Sequence, residues 1–561
     1  MKMFQTIAKQ NTNLSRRDRM VRNSAGGFAF QIDDWKQLER FLVLGTTGGT
    51  FYLDERKLTE VNLEAVQRCL DADAERVVRT VLDISTAGRA LSNDPALYVL
   101  AMAAARKQSR AVLPKDGRSA FTVEEPSEAS RLALASLPKV ARTFTDLSHF
   151  VTYVRKPKLR GWGNGFMKGV ARWYNEMPVS KLALQVVKYG QRDGVSQRDV
   201  YDLSHPARWS KPDAVRRAIF DFIVDGRMPA PELAHQNENA LKLLVAYGEV
   251  VAEGATAVDA ARLITTRGLP MEAVPTQLRT AEVYEAVLAG VLGGRKGNTL
   301  TWLVRNLGNL GAQGLLSDAR QDIVSKVCAA LTDEQALQEA RVHPLAILKA
   351  LLTYRQGHGE KGRGQWPVLA RVVDSLDQAF YASFRYAKPS GKRLMLAVDV
   401  SGSMWGQQLT AFPSLTTHEA AAAMALVIAN VEPNWTLVTF DTEARPCHIS
   451  PRQRMDDVVN AMCKEEGGGT DLASPIAYAR RKRIPVDAFV LLTDYETWAG
   501  DYHSHEELEA YRMEMGIAAK VVNIAMTPNS YSTSEPGDPL ALEVVGFDTR
   551  VPEVISAFLA T

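Results

Sequence analysis

The chain has 561 residues, 46% of them hydrophobic and 23% charged, which is more than one core usually organises and too apolar for a disordered polypeptide. Roughly two to four globular domains are expected. The 67 basic and 64 acidic side chains leave a net charge of only +3, so a polyanion partner requires the basic residues to gather on one surface.

Four cysteines, Cys69, Cys328, Cys447 and Cys463, lack CxxC spacing and are too sparse for a disulfide framework. They read as core thiols in a reducing cytoplasm. No apolar run approaches the ~20 residues of a membrane span, and the first twenty residues hold no secretory-type apolar stretch. A cytoplasmic protein without membrane contact is expected.

In chain order, the first region reads as helix after helix. Leu97, Leu100, Ala101 and Ala104 follow an Asp94-Pro95 helix start, and Leu147, Phe150, Val151 and Val154 repeat the i, i+3, i+4, i+7 spacing. Hardly any strand is expected here. Such units bury their faces on their neighbours, which predicts a HEAT-type helical array. Near residues 385–393, "RYAKPSGKR" reads as a connector, dividing the chain into 1–385 and 386–561.

Beyond it the pattern alternates. Strands are predicted at 394–398, 435–440, 487–492 and 520–525, with helices at 418–431 and 474–483 between them. Apolar strands separated by helices imply a doubly wound parallel sheet, with its crevice beyond the carboxyl ends of the strands. Asp399, Asp441 and Asp494 fall there.

In "LMLAVDVSGSMWG" (394–406), Asp399, Ser401 and Ser403 alternate on a loop leaving a buried strand, and Thr470 in "GGGTD" and Asp494 in "LLTDYET" sit on later loops of the same edge. All five are oxygen donors. Two carboxylates plus hydroxyls suit a hard cation, Mg²⁺ or Ca²⁺, and not zinc. The same residue types also serve as helix caps.

This ordered set resembles the metal-ion-dependent adhesion site of von Willebrand factor A domains. Together with "FLVLGTTGGTFYLDERKL" (41–58), "GVARWYNE" (169–176), "KYGQRDGVSQRDVYDLSH" (188–205) and "ARVHPLAILKALLTYRQGHG" (340–359), it makes the chain similar to the Ro autoantigen family of TROVE-domain proteins. The resemblance implies a HEAT-like ring, one chain per ring, closed by the A domain. It also implies binding of small noncoding Y RNAs on the outer surface and of single-stranded ends of misfolded RNA in the central hole. A 3′-to-5′ exoribonuclease is implied as a partner by bacterial relatives. By the same resemblance, Lys188, Arg192 and His205 match positions that contact Y RNA.

Independent of that likeness, residues 155–175 carry Arg155, Lys156, Lys158, Arg160, Lys168 and Arg172 without an acid, interleaved with Trp162, Phe166, Trp173 and Tyr174. Cations neutralise phosphates and aromatic faces stack bases, so the mixture suits single-stranded RNA. The alternative is a charged face over buried aromatics, with at least one of Trp173 and Tyr174 in the core. Lys188 and Arg192, four apart, would share a helix face. Asp193 and Asp199 nearby would dilute the field, and His205 before Pro206 equally fits a helix end. Arg355, His358, Lys361 and Arg363 form a Gly-rich basic loop suited to lining the hole.

For chemistry, His503 and His505 form an HxH that fits either a metal or an exposed helix start. No His-based acid and base or two-metal carboxylate cluster accompanies the cation loops, so a scaffold is expected over an enzyme. A protein-binding adaptor using the cation, and a metal-dependent nuclease, are the other readings.

Overall fold

The chain opens on a hairpin, β1 (Met20–Arg22) and β2 (Phe28–Gln31), and then turns helical. The computed structural model describes residues 20–46, 54–90, 92–112, 121–155, 163–192, 194–230, 232–233, 240–293, 299–340, 342, 344–359, 364–383, 388–406, 408–409, 412–450, 453–462, 467–546 and 551–560, a few side chains excepted. Lys156, Lys158, Arg160, Trp162, Asp193, Lys361, Arg363 and Cys463 lie outside the described residues, as does the side chain of Arg192.

The helical region runs α1 (Asp34–Leu44), α2 (Glu55–Ala87), α3 (Asp94–Ala105), a hairpin of β3 (Lys107–Val112) and β4 (Phe121–Pro126), α4 (Glu128–Val140), α5 (Phe144–Arg155), α6 (Asn164–Glu176) and α7 (Val179–Lys188). It continues through the short pair β5 (Gln191–Arg192) and β6 (Val195–Ser196), then α8 (Gln197–Ser204), α9 (Pro206–Trp209), α10 (Ala214–Asp225), α11 (Ala240–Val251), α12 (Ala257–Arg267) and α13 (Ala281–Leu292). The last stretch is α14 (Thr299–Ala312), α15 (Gln321–Leu331), α16 (Glu334–Ala340), α17 (Pro344–Gln356) and α18 (Ala370–Ala382).

Polar caps start many of these helices. Asp33, Asp54, Ser127 and Asp213 each accept a hydrogen bond from the amide three residues on, worth about 1 kcal/mol apiece. The apolar spacings set the buried faces: Leu97, Leu100, Ala101, Ala104, Leu147, Phe150, Val151 and Val154 are all in the core. Each helix packs on near neighbours, α2 on α4, α4 on α6, α6 on α8 and α14 on α17 among them, as a helical-repeat array requires. The β3–β4 hairpin departs from the expectation of a strand-free region. Its residues carry no apolar alternation, because both faces stand largely in solvent, and its charges pair across the strands, Lys107 with Glu124 at 2.7 Å.

The second region contains β7 (Leu394–Asp399), α19 (Gly402–Gly406), β8 (Gln408–Leu409), β9 (Phe412–Thr416), α20 (Thr417–Val431), β10 (Trp435–Phe440), β11 (Ala444–Pro446), α21 (Met455–Met462) and α22 (Ser474–Arg481). It ends with β12 (Ala488–Thr493), α23 (Ser504–Met515), β13 (Lys520–Ala525), β14 (Tyr531–Ser532), β15 (Ala541–Val545) and α24 (Val551–Ala560). The sheet order is β11-β10-β7-β12-β13-β15, parallel throughout except for β11 at one edge. Its four central strands are those expected from the apolar runs; β15 is an added parallel edge, ALEVV, of which only the last two residues are fully buried. Cys69 is buried, whereas Cys328 and Cys447 are half-buried, so only one of these three is a fully enclosed core thiol.

Both ends of the array rest on this sheet domain. Helix α1 packs on β15 and β2 pairs with β14, while α17 packs on β9 and Arg454, just before α21, pairs with Asp374 of α18. Contacts therefore run in a closed circuit through array and sheet. The main seal is Arg40, 2% exposed, which donates to the carbonyls of Asn529 (3.0 Å) and Tyr531 (2.7 Å) and pairs with Glu543 at 2.8 Å.

Candidate cation centre and nucleic-acid surfaces

Parallel register brings the five predicted oxygen donors to one edge. Trp435 and Ala488 both align with Leu394, so β10, β7 and β12 end level and Asp399 and Asp494 leave adjacent strands. Asp399, Ser401, Ser403, Thr470 and Asp494 are all buried. Asp399 accepts from the Ser401 amide (2.9 Å) and the Thr493 hydroxyl (2.6 Å), and the Ser401 and Ser403 hydroxyls stand 3.2 Å apart. The glycine loop closes over them: a Cβ on Gly467 would stand 2.3 Å from the Val400 carbonyl, so only glycine admits this approach.

The cluster has a charge to discharge. Burial, and then the neighbouring Asp494, push the Asp399 carboxyl up, and burial pushes Asp494 up as well. Thr470 Oγ1 and Asp494 Oδ2 have no hydrogen-bond partner among the described residues. Buried unpaired oxygens are costly, and two carboxylates with three hydroxyls form the donor set a hard cation takes, so the residues fit the ion the loops imply. Asp441, the third strand-end acid, is instead paired with Arg445 at 3.1 Å. His503 is buried and stacks on His505, which meets Phe30, so the HxH is not an exposed helix start. Among the described residues no three His, Cys, Asp or Glu side chains converge on a metal position.

The basic stretch at 155–175 divides. Trp173 and Tyr174 are both in the core, Trp173 donating to the Ala141 carbonyl (2.7 Å) and Tyr174 to Gln197 Oε1 (3.1 Å). Phe166 stacks on Phe150 inside the array. These aromatics are therefore not a stacking platform for bases; their spacing on α6 faces them inward. Arg155, Lys168 and Arg172 are exposed, and Arg172 pairs with Glu176 at 2.9 Å.

Lys188 and Arg192 do not share a helix face. Helix α7 stops at Lys188 because Tyr189 takes φ −133°, and Arg192 follows in β5. Lys188 pairs with Glu272 at 2.8 Å; burial pulls its pKa down, but Glu272 offsets this and the net shift is upward. Asp199 closes a capping box with Ser196, so its charge is spent on the start of α8, and it lies close enough to feel Arg155.

His205 is exposed and holds a left-handed backbone, φ 47°, between α8 and α9. Strain of this kind in a non-glycine residue gathers at binding sites. It lines a recess of about 420 Å³ with Tyr201, Ala207 and Arg208, and the Arg208 guanidinium lies 5.0 Å from the Trp209 ring. A cation-and-aromatic mixture of the kind expected at 155–175 occurs at 201–209. The sequence signal was "YDLSHPARW", where the helix breaks at Pro206 and leaves His205, Ala207 and Arg208 exposed, while Tyr201 stays half-buried against Tyr174 and Phe220.

A larger cleft of about 1120 Å³ opens between the ends of α2 and α7 on one side and α14, α16 and α17 on the other. Arg142, Lys181, Lys188, Arg305 and Lys349 line it against two acids, Asp146 and Glu339. Gly359 and Trp366 of the Gly-rich basic segment also border it, whereas Arg355 and His358 are exposed beside it. Four of the five cations were missed, because elements far apart in sequence bring them together.

A helical array that begins and ends on an A-type domain, with an Asp-Ser-Ser, Thr and Asp edge, defines the class of TROVE proteins fused to a von Willebrand factor A domain. The TROVE domain matches residues 21–252 and the Ro60 vWA domain residues 393–559. RNA-binding protein RO60 of Deinococcus radiodurans is 40% identical over 541 residues, spanning 96% of this chain and 95% of that protein. RNA-binding protein RO60 of Caenorhabditis elegans is 29% identical, spanning 97% and 90%. The crystal structure of the D. radiodurans RO (RSR) protein superimposes with a TM-score of 0.69 at 38% identity, covering 94% of this chain and 99% of that one. The chain belongs to the Ro60 family.

Proposed function

We propose that this chain is an RNA-binding scaffold, not an enzyme, which takes single-stranded ends of misfolded RNA into the cleft and holds a structured, Y-like small RNA on its outer surface. The observation that carries this is the gathering of Arg142, Lys181, Lys188, Arg305 and Lys349 around one opening in a chain whose overall charge is nearly balanced. Cations so placed neutralise phosphates and release counterions without reading sequence, which suits a quality-control role. Tyr201, His205, Arg208 and the nearby Arg155 form the outer surface, where a recess and a strained histidine favour an RNA loop over a duplex groove. The full-length relatives named as RNA-binding proteins support the same reading.

Mg²⁺ or Ca²⁺ at Asp399, Ser401, Ser403, Thr470 and Asp494 supplies positive charge to the buried carboxylates. A cytoplasmic, single-chain ring cooperating with a 3′-to-5′ exoribonuclease completes the proposal.

Gel shifts over a salt series test it. Lys181→Ala with Arg305→Ala should weaken binding of RNA with a single-stranded 3′ tail and flatten the log–log salt slope by about one per lost contact. His205→Ala with Arg208→Ala should instead weaken binding of structured RNA. Affinities that ignore salt in the native protein would remove the proposal.

A further inference from the structure

The loop that carries Asp494 is also the seat of the N-terminal hairpin. In the β1–β2 turn, Asn23 Nδ2 donates to the carbonyls of Thr497 (2.7 Å) and Tyr495 (3.3 Å), and the Ala25 amide donates to Glu496 Oε2 (3.1 Å). A Cβ on Gly27 would stand 1.9 Å from the Thr497 carbonyl, so the hairpin lies directly on this loop. Glu496 is fully buried. While the hairpin holds its Oε2, its Oε1 has no hydrogen-bond partner among the described residues.

Glu496 lies two residues beyond Asp494 on the same loop. The Glu496 amide donates to Asp494 Oδ1 at 3.1 Å, so the two acids adjoin, and between them Tyr495 is held at φ 60°, a costly backbone for an aromatic residue. Thr470 Oγ1 and Asp494 Oδ2, also buried, likewise have no hydrogen-bond partner among the described residues. Among the described residues no three acids converge to grip an ion together, so Glu496 is assigned a place outside the inner donors. Hard divalent cations keep bound waters, and those waters need acceptors in the surrounding layer.

We propose that Glu496 is the outer carboxylate of the cation site: Oε1 accepts a hydrogen bond from a cation-bound water while Oε2 holds Ala25, so loading the ion clamps the hairpin to the A domain. The inference rests on the cation reading above. Because β2 pairs with β14 and leads into α1, the clamp acts where the array closes on the sheet domain. Linkage makes the effect mutual: hairpin docking strengthens ion binding by the factor by which the ion strengthens docking.

The full-length protein, stripped with chelator and titrated with Mg²⁺ or Ca²⁺, tests this by calorimetry and by amide exchange of residues 20–31. Ion loading should slow that exchange at least about tenfold. Glu496→Gln should weaken ion affinity by a similar factor and abolish the protection; Asn23→Ala, which leaves every ion donor in place, should weaken affinity a few-fold through linkage. If the native protein takes up neither ion, the cation reading itself fails. If it binds, but Glu496→Gln binds equally well or the hairpin ignores the ion, the clamp is overturned and the cation site stands. Should Glu496→Gln not fold, Asn23→Ala decides: unaltered affinity together with unaltered hairpin protection overturns the clamp.

Discussion

At 2.8 Å from Glu272, the Lys188 ammonium already has an anion, and a phosphate entering the cleft must share or displace it. Under the proposed reading, in which the cleft takes RNA, Glu272 competes with it. Glu272→Gln should raise affinity for RNA with a single-stranded tail by about three- to tenfold at low salt, since a half-buried pair is worth on the order of 1 kcal/mol. Weaker binding by the folded variant would show that Glu272 positions Lys188 instead of shielding it. Nothing local in the sequence reveals this pair, because its members sit on elements distant along the chain. Trp173 and Tyr174 are the opposite case: their spacing on one helix was enough to place at least one of them in the core, and both are there.

Strands buried on both faces announce themselves as continuous apolar runs, and the four central strands were legible for that reason. Helix α20 is legible too, but for composition more than amphipathicity: its alanine-rich run is buried nearly all round, packed against β7, β9, α21 and α24. His418 enters that helix fully buried, its ring 4.4 Å from Trp405, and neither nitrogen has a hydrogen-bond partner among the described residues. Burial pulls its pKa from 6.5 down to about 4. The fold accepts only the neutral ring, so the unfolded chain takes up the proton first as pH falls through 6.5, and stability is lost progressively from there towards about 4. His418→Phe should remove roughly 2 kcal/mol of that acid sensitivity between pH 7 and pH 5. Urea unfolding of the two proteins at both pH values measures it, and parallel losses would show that the imidazole titrates elsewhere.

Closure of the molecule depends on contacts that no periodicity encodes. Arg40 lies on an ordinary-looking amphipathic helix, "DWKQLERFLVL", yet it is buried against the sheet domain, where its guanidinium meets Glu543, two carbonyls and, at 4.9 Å, the Tyr495 ring. Glu543 is held as well by Asn523 (2.8 Å), Tyr495 (3.1 Å) and Ser532 (2.5 Å), so removing Arg40 leaves a buried carboxylate without its cation but still fixed in place. Breaking one side of such a pair costs about 3–5 kcal/mol, whereas removing both charges costs far less. Arg40→Met should therefore lower the unfolding temperature, raise amide exchange along α1 and β15, and increase the hydrodynamic radius as the circuit opens. Adding Glu543→Gln should recover most of the loss. An Arg40→Met protein with native exchange along α1 would mean that the β2–β14 pairing and the hairpin turn hold the junction without it.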